Sequence, residues 1–177
     1  MTLTLRKFQP RDMNELFSWF PTERDVLQWA GASLSWPIQK REFRALIRQH
    51  RGLDPLREIW AVCAPQDEMV GHFQLGFNRR LKTVGIGRIA IKPAVRGKGL
   101  SAALMALILD RAFARTWVHR VDLLVYSHNE SAIKAYQKSG FVLEGTRRET
   151  TPIGQEVWDT HIMSLLRYEF DKRTERE

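Results

Sequence analysis

Cysteine occurs once in this chain, as Cys63, so an internal disulfide is excluded. It lies in the apolar run Ile59-Trp60-Ala61-Val62-Cys63-Ala64 with no basic neighbour to lower its pKa, and a buried small hydrophobe is expected rather than a nucleophile. The five histidines, His50, His72, His119, His128 and His161, have no ligand spacing with Cys63 or with one another, so no metal is expected. No apolar stretch approaches the roughly 20 residues that cross a bilayer, and the opening MTLTLRKFQP has no apolar signal core. A cytoplasmic location with no membrane partner is the expectation that follows. Acidic side chains are absent from Met69 to Leu109, whereas Arg79, Arg80, Lys82, Arg88, Lys92, Arg96 and Lys98 fall inside that stretch. Nearly all of the net charge of +8 is therefore gathered there, and such a field attracts polyanions.

What is present suits a folded globular chain: 44% hydrophobic, 27% charged and 10% aromatic residues over 177 positions. That length predicts one domain, 1–170, with the charged residues 171–177 as a fraying tail. Residues 2–9 alternate as a strand, and Pro10 and Asp12 mark a helix start. Met13/Leu16/Phe17/Phe20 and Val26/Leu27/Ala30 then predict two short helices, the second capped by Thr22 and stopped by Gly31. A third helix is expected over 38–51, ended by Gly52. Strand-like runs at 59–64, 69–77 and 84–92 suggest an antiparallel meander. Residues 99–114, apolar on nearly all sides, predict a largely buried helix. A strand at 121–126, a short helix at 130–139 closed by Gly140, and strands at 141–150 and 157–166 complete the order.

Chemistry is concentrated at two places. The strand Ile89-Ala90-Ile91 is cut by Pro93, and Arg96-Gly97-Lys98-Gly99-Leu100-Ser101 follows at once, opening the apolar helix. Two glycines allow close backbone approach, and a helix N-terminus offers unpaired N–H groups and a favourable dipole to an anion such as pyrophosphate. The motif has neither the third glycine of a dinucleotide fingerprint nor the Lys-Ser/Thr pair of a P-loop, which disfavours nucleotide hydrolases. Further on, Asn129 stands at the end of strand 121–126 and begins the pattern Asn-x-x-Ala-x-x-x-Tyr-x-x-x-Gly-Phe, ending at Gly140-Phe141. Ala132, Ala135 and Tyr136 share one helix face. Taken singly, Asn129 is equally an N-cap and Tyr136 equally a core residue.

Together the two motifs resemble the GNAT superfamily of N-acetyltransferases, whose phosphate turn reads Arg/Gln-x-x-Gly-x-Gly/Ala and whose later helix carries an Asn and a Tyr at this spacing. Arg96 and Gly99 match that turn, and Ser101 replaces its last small residue. The resemblance implies an α/β (α+β) fold with a central mixed, mostly antiparallel twisted sheet and helices on both faces. It also implies acetyl-CoA as cosubstrate and direct acetyl transfer to a primary amine, either a protein N-terminus or a small molecule. By position it assigns the cofactor to Ile89, Ala90, Ile91, Arg96, Gly97, Lys98, Gly99, Leu100, Ser101, Asn129 and Tyr136, with Tyr136 as the acid that protonates the thiolate. The region of Trp29 and Trp36-Pro37, with 140–148 and Trp158-Asp159, looks like the branch that includes ribosomal-protein N-terminal acetyltransferases.

Val84-Gly85-Ile86-Gly87-Arg88 lacks the Glu that many relatives carry there, which leaves Glu149, Asp159, His72 and His161 as candidate bases. A monomer or homodimer is expected, and a nucleic-acid partner is not. Two other readings stand beside the enzyme: a basic ribosome- or RNA-associated module, and a CoA-binding protein without transferase activity.

Overall fold

A strand that continues past Pro93 would lose a ladder hydrogen bond, and a helix that continues past Gly31 would leave the right-handed region. Such local stops set most of the element boundaries. The structure, a computed structural model, describes residues 2–48 and 56–174. In chain order these form β1 (Thr4–Lys7), α1 (Met13–Ser18), α2 (Glu23–Ala30), α3 (Lys40–Arg48), β2 (Arg57–Cys63), β3 (Met69–Asn78) and β4 (Thr83–Ile91). Then come α4 (Leu100–Phe113), β5 (Arg120–Tyr126), α5 (Glu130–Lys138), β6 (Val142–Ile153), β7 (Glu156–Leu166) and α6 (Arg167–Thr174). The expected stop of α3 at Gly52 lies outside the described residues.

The seven strands form one sheet in the order β1-β2-β3-β4-β5-β7-β6. β1 with β2, β2 with β3, β5 with β7 and β6 with β7 are antiparallel. β4 and β5 are parallel, from Thr83 opposite Arg120 to Ile86 opposite Leu123, and the connection between them is the crossover helix α4, as a parallel pair requires. The mixed, mostly antiparallel α/β fold expected from the sequence is present.

The residues group into two compact units, Met1–Gly76 with Gly87–Leu104, and Phe77–Ile86 with Met105–Glu177. In the first, Phe8, Met13, Leu16, Trp29, Phe43 and Ile59 belong to one buried cluster, with Phe20 stacked on Trp29 at 4.2 Å. Full burial of a side chain such as Phe43 contributes about 1.5–3 kcal/mol. Thr22 caps α2 as expected: its hydroxyl accepts from the Asp25 amide at 3.2 Å, and the Asp25 carboxylate accepts from the Thr22 amide at 3.1 Å. Arg6 clamps the buried Asp12 at 2.7 and 2.9 Å and reaches Asp67 at 2.6 Å, tying β1 to the turn before β3.

In the second unit, Arg120 on β5 meets Asp122 at 2.6 Å and Glu144 on β6 through both terminal nitrogens, and Ser164 on β7 donates to Glu144 at 2.7 Å. Of the tail expected to fray over 171–177, residues 171–174 belong to α6, where Phe170 stacks on Phe113 at 4.7 Å and Arg173 donates to the Lys138 carbonyl at 2.8 Å; 175–177 lie outside the described residues. One expectation is corrected. The helix over α4 is buried on one side only. Leu104, Met105, Ile108, Leu109, Ala112 and Phe113 are inside, whereas Ala102, Ala103 and Ala106 face out, because alanine costs little to expose.

Candidate active site

In the first unit β4 ends at Ile91 and a 3-10 turn, Pro93–Val95, leads to Arg96. The Arg96 Nε folds back onto the Ile91 carbonyl at 2.9 Å, so this guanidinium fastens the turn to the strand it leaves. Gly97 and Gly99 have φ of +75° and +76°, a region that L side chains enter at a cost of roughly 1–2 kcal/mol. Apart from its own chain neighbours, no heavy atom of the described residues lies within 4 Å of where a Cβ would stand on either glycine. The glycines are required by the backbone's left-handed course, and the space beside them is open. Leu100 then begins α4, whose first-turn N–H groups have no carbonyl of their own helix to meet. Residues 96–99 and Ser101 are all exposed. An exposed, positively flanked helix N-terminus with open space over its glycines fits a phosphorylated ligand.

The basic stretch does not act as one field. Lys92 is paired with Glu68 at 3.0 Å and Glu15 at 3.1 Å, and those carboxylates hold its pKa up. Arg79, Arg80 and Lys82 lie in the β3–β4 turn and belong to the second unit. Arg96 and Lys98 flank Gly97 and Gly99 directly in the chain, within the first unit.

Strand β4 also carries Arg88, which the sequence gives only as one charge of the basic stretch. Arg88 has φ of +50° in mid-strand, a conformation that costs about 1–3 kcal/mol for a residue other than glycine and persists where its surroundings enforce it. Its carbonyl accepts from Trp29 Nε1 at 2.8 Å, and its guanidinium donates to Gln74 Oε1 at 2.6 Å and to Ser33 Oγ at 2.8 Å. Burial, with Arg57 nearby, pushes Arg88 down to about 10. The only available signal was a cation in an otherwise apolar strand end.

In the second unit Asn129 caps α5, its Oδ1 accepting from the Ala132 amide at 3.3 Å and from the Ser131 hydroxyl at 3.2 Å. Tyr136 lies about two turns further on, half-buried, with its ring 6.0 Å from that of Phe141. Its hydroxyl has no hydrogen-bond partner among the described residues. Burial pushes its pKa up to about 12, so the phenol is protonated at neutral pH, and the same burial makes it a weaker acid than a solvated tyrosine.

The candidate bases fare differently. His72 is fully buried, edge-on to Phe8 at 5.0 Å and Trp29 at 5.7 Å, and burial with nearby Arg88 drives it down to about 3. A neutral core imidazole with no solvent contact is no general base. His161 engages Thr146 through Nδ1 at 2.8 Å, and Asp159 accepts from the Glu149 amide at 2.8 Å. Glu149 itself is exposed, with φ of +52°. No group of three His, Cys, Asp or Glu among the described residues could hold a metal ion, and none of the described helices is long and apolar enough to cross a membrane.

Residues 23–141 match the Acetyltransferase (GNAT) family. The SPbeta prophage-derived uncharacterized N-acetyltransferase YokL of Bacillus subtilis is 26% identical over 96% of this chain and 92% of its own length. The L-amino acid N-acetyltransferase AaaT of Escherichia coli is 26% identical over 60% of this chain and 67% of its own. Among solved structures, the spermidine N-acetyltransferase of Vibrio cholerae in complex with CoA and spermine superposes with a TM-score of 0.82 at 25% identity, covering 95% of this chain and 97% of that one. The expected likeness to ribosomal-protein N-terminal acetyltransferases is corrected here, since solved structures that superpose strongly on this chain include spermidine N-acetyltransferases rather than members of that branch. The superfamily assignment stands without that branch: the chain belongs to the GNAT family of acetyltransferases.

Proposed function

We propose that the turn at 96–101 takes the pyrophosphate of acetyl-CoA, that residues 89–91 receive its pantetheine arm, and that Tyr136 protonates the departing thiolate. The reaction itself, acetyl-CoA-dependent N-acetylation of an amine, follows from family membership. The observation that carries the proposal is the pair of left-handed glycines, open on their Cβ side, immediately before the N-terminus of α4. Arg96 and Lys98 add positive charge there, and Leu100 and Ser101 supply first-turn amides.

Acetyl-CoA brings an acetyl thioester, already activated toward a neutral amine. The chain has three tasks: to hold the arm in place, to receive the proton that the amine loses, and to return a proton to the sulfur. The protonated Tyr136 phenol serves the last of these. His72 is excluded from the second by its burial, and Glu149, Asp159 and His161 remain for it, directly or through water. The Asn129 side-chain amide, whose oxygen is engaged in the cap, retains its N–H donors for the cofactor arm.

The acceptor is a primary amine. The relatives named as spermidine and L-amino acid N-acetyltransferases act on amines of opposite character, a polycation and a zwitterion.

Calorimetric titration of acetyl-CoA into wild-type protein and Gly99→Val tests the turn. Affinity is expected to fall at least 10-fold in a variant that remains folded, because a branched side chain fills the open space and resists the left-handed backbone. Unchanged affinity in folded Gly99→Val contradicts the assignment.

A further inference from the structure

Arginine in a protein interior ordinarily meets a carboxylate, because removing its charge from water is costly without one. Arg6 and Arg120 follow that rule, each bound to two acids. Arg88 does not. Its partners are the neutral Gln74 and Ser33, and no carboxylate meets it among the described residues. His72, which Gln74 Nε2 approaches at 3.4 Å, is neutral as well. The guanidinium has five N–H donors, of which two are engaged, and its Nε is buried without a partner. This cation is also held firmly. Trp29 fixes its carbonyl, Ser33 joins it to the loop after α2, and the left-handed backbone at Arg88 is maintained at a cost that a solvated surface arginine would not incur. The side chain is still reached by solvent.

Arg88 immediately precedes residues 89–91, so it stands within one strand residue, about 3.3 Å of rise, of the backbone assigned above to the acetyl-bearing arm. No Asp or Glu occurs from Met69 to Leu109, so neither β3, β4 nor the turn contributes an acid that would attract a polycation. We infer that Arg88, held by Gln74 and Ser33, is the recognition residue for a carboxylate on the acceptor, and that the amine this chain acetylates is an amino acid or a similar acid-bearing amine rather than a polyamine. This inference rests on the reading of 89–91 as the strand that receives the cofactor arm. An arginine offers a planar pair of donors to a carboxylate, which suits selection of an acid over its decarboxylated analogue. A site built to pair a charged group rejects the analogue lacking it by a large factor, since the buried partner is then left alone.

The test is acetyl transfer from acetyl-CoA to a panel of the twenty L-amino acids, their decarboxylated amines and spermidine, with wild-type protein, Arg88→Gln and Arg88→Lys. The best wild-type acceptor is expected to bear a carboxylate and to exceed its decarboxylated partner at least 100-fold in kcat/KM. In Arg88→Gln that ratio should collapse toward one, chiefly through KM, and Arg88→Lys should restore part of it. Melting temperature and acetyl-CoA affinity of each variant show that the fold and the cofactor turn survive. A best acceptor without a carboxylate, or a ratio unmoved in folded Arg88→Gln, overturns the inference. Acetyl-CoA binding with no acid in the panel acetylated also overturns it while leaving the cofactor assignment intact. Loss of acetyl-CoA binding in the wild type is instead the failure of the broader reading.

Discussion

The helices α4 and α5 both follow strands of the sheet, and their first turns are completed in opposite ways. At α5 the residue before the helix is Asn129, whose side chain closes the N-terminus by accepting from the Ala132 amide at 3.3 Å. At α4 the corresponding residue is Gly99, which has no side chain to cap with and leaves open space where a Cβ would stand. One helix start is closed by a side chain of the chain itself, and the other is open, as an anion site requires. The difference separates two tasks that the shared family pattern lists together. In the function proposed above, the turn before α4 would bind through its backbone and α5 would contribute through its Tyr136 side chain.

The largest expected effect belongs to Tyr136. Tyr136→Phe removes only the hydroxyl, and if α5 supplies the acid, kcat should fall roughly 10²–10⁴-fold with the acetyl-CoA dissociation constant almost unchanged. Tyr126→Phe is the matched control. Its hydroxyl already donates to Thr151 at 3.2 Å, and turnover should stay within about threefold of wild type, a change of about 0.65 kcal/mol. Steady-state kinetics with a cofactor titration separates the outcomes, and a Tyr136→Phe variant that loses affinity instead would move the hydroxyl from catalysis to binding.

Gly99→Val should follow, weakening acetyl-CoA by about 10–100-fold, or about 1.4–2.8 kcal/mol. Asn129 gives a finer cut. Asn129→Ala should lower stability in denaturant by about 1 kcal/mol through the lost cap. Asn129→Asp keeps an oxygen in that place and should hold the stability while losing the amide donors. A weaker acetyl-CoA affinity in Asn129→Asp would then report a cofactor contact apart from the cap, and an unchanged affinity would leave Asn129 a cap alone.

The smallest effect is a pH dependence outside both helix starts. Arg120, with Ser164, holds the Glu144 carboxyl down to about 2 from its ordinary 4.5. Its folded pKa lies below its unfolded one, so the pair's contribution is complete above about pH 4.5 and is lost as the pH falls toward 2. Acid titration of stability should therefore be shallower for Glu144→Gln than for wild type across that window. Because Glu144 is well exposed, the difference should be small and should shrink further in salt.

The strand, turn and helix at 89–101 were legible because proline and glycine act locally, through missing N–H groups and left-handed φ, whatever packs around them. The cap at Thr22 and the stops at Gly31 and Gly140 were legible for the same reason. Arg88 was not, since its interest lies in the absence of an acidic partner, which depends on where Gln74, Ser33 and Trp29 arrive in space. His72 stays among the candidate bases in the sequence for the matching reason. A histidine's reference pKa near 6.5 suggests a base, and only the aromatic core around it shows that it remains neutral. Helix α6 was passed over because Arg167-Tyr168-Glu169-Phe170 has little apolar periodicity. It is held by Arg167 donating to the carbonyls of Val118, Phe113 and Arg115, contacts about 50 residues away in sequence. The exposure of Ala102, Ala103 and Ala106 shows the limit of reading burial from apolar content, as alanine serves equally on either side of a helix.

This chain moves an acetyl group from CoA to an amine. Incubating the protein with acetyl-CoA and each amine of the panel, and measuring free thiol together with acetylated product, tests it most directly. Thiol should be released in equal amount to acetylated amine, dependent on the acceptor and sharply reduced in Tyr136→Phe. Acetyl-CoA bound by the turn with no amine acetylated, or thiol released at the same rate with and without acceptor, would contradict it.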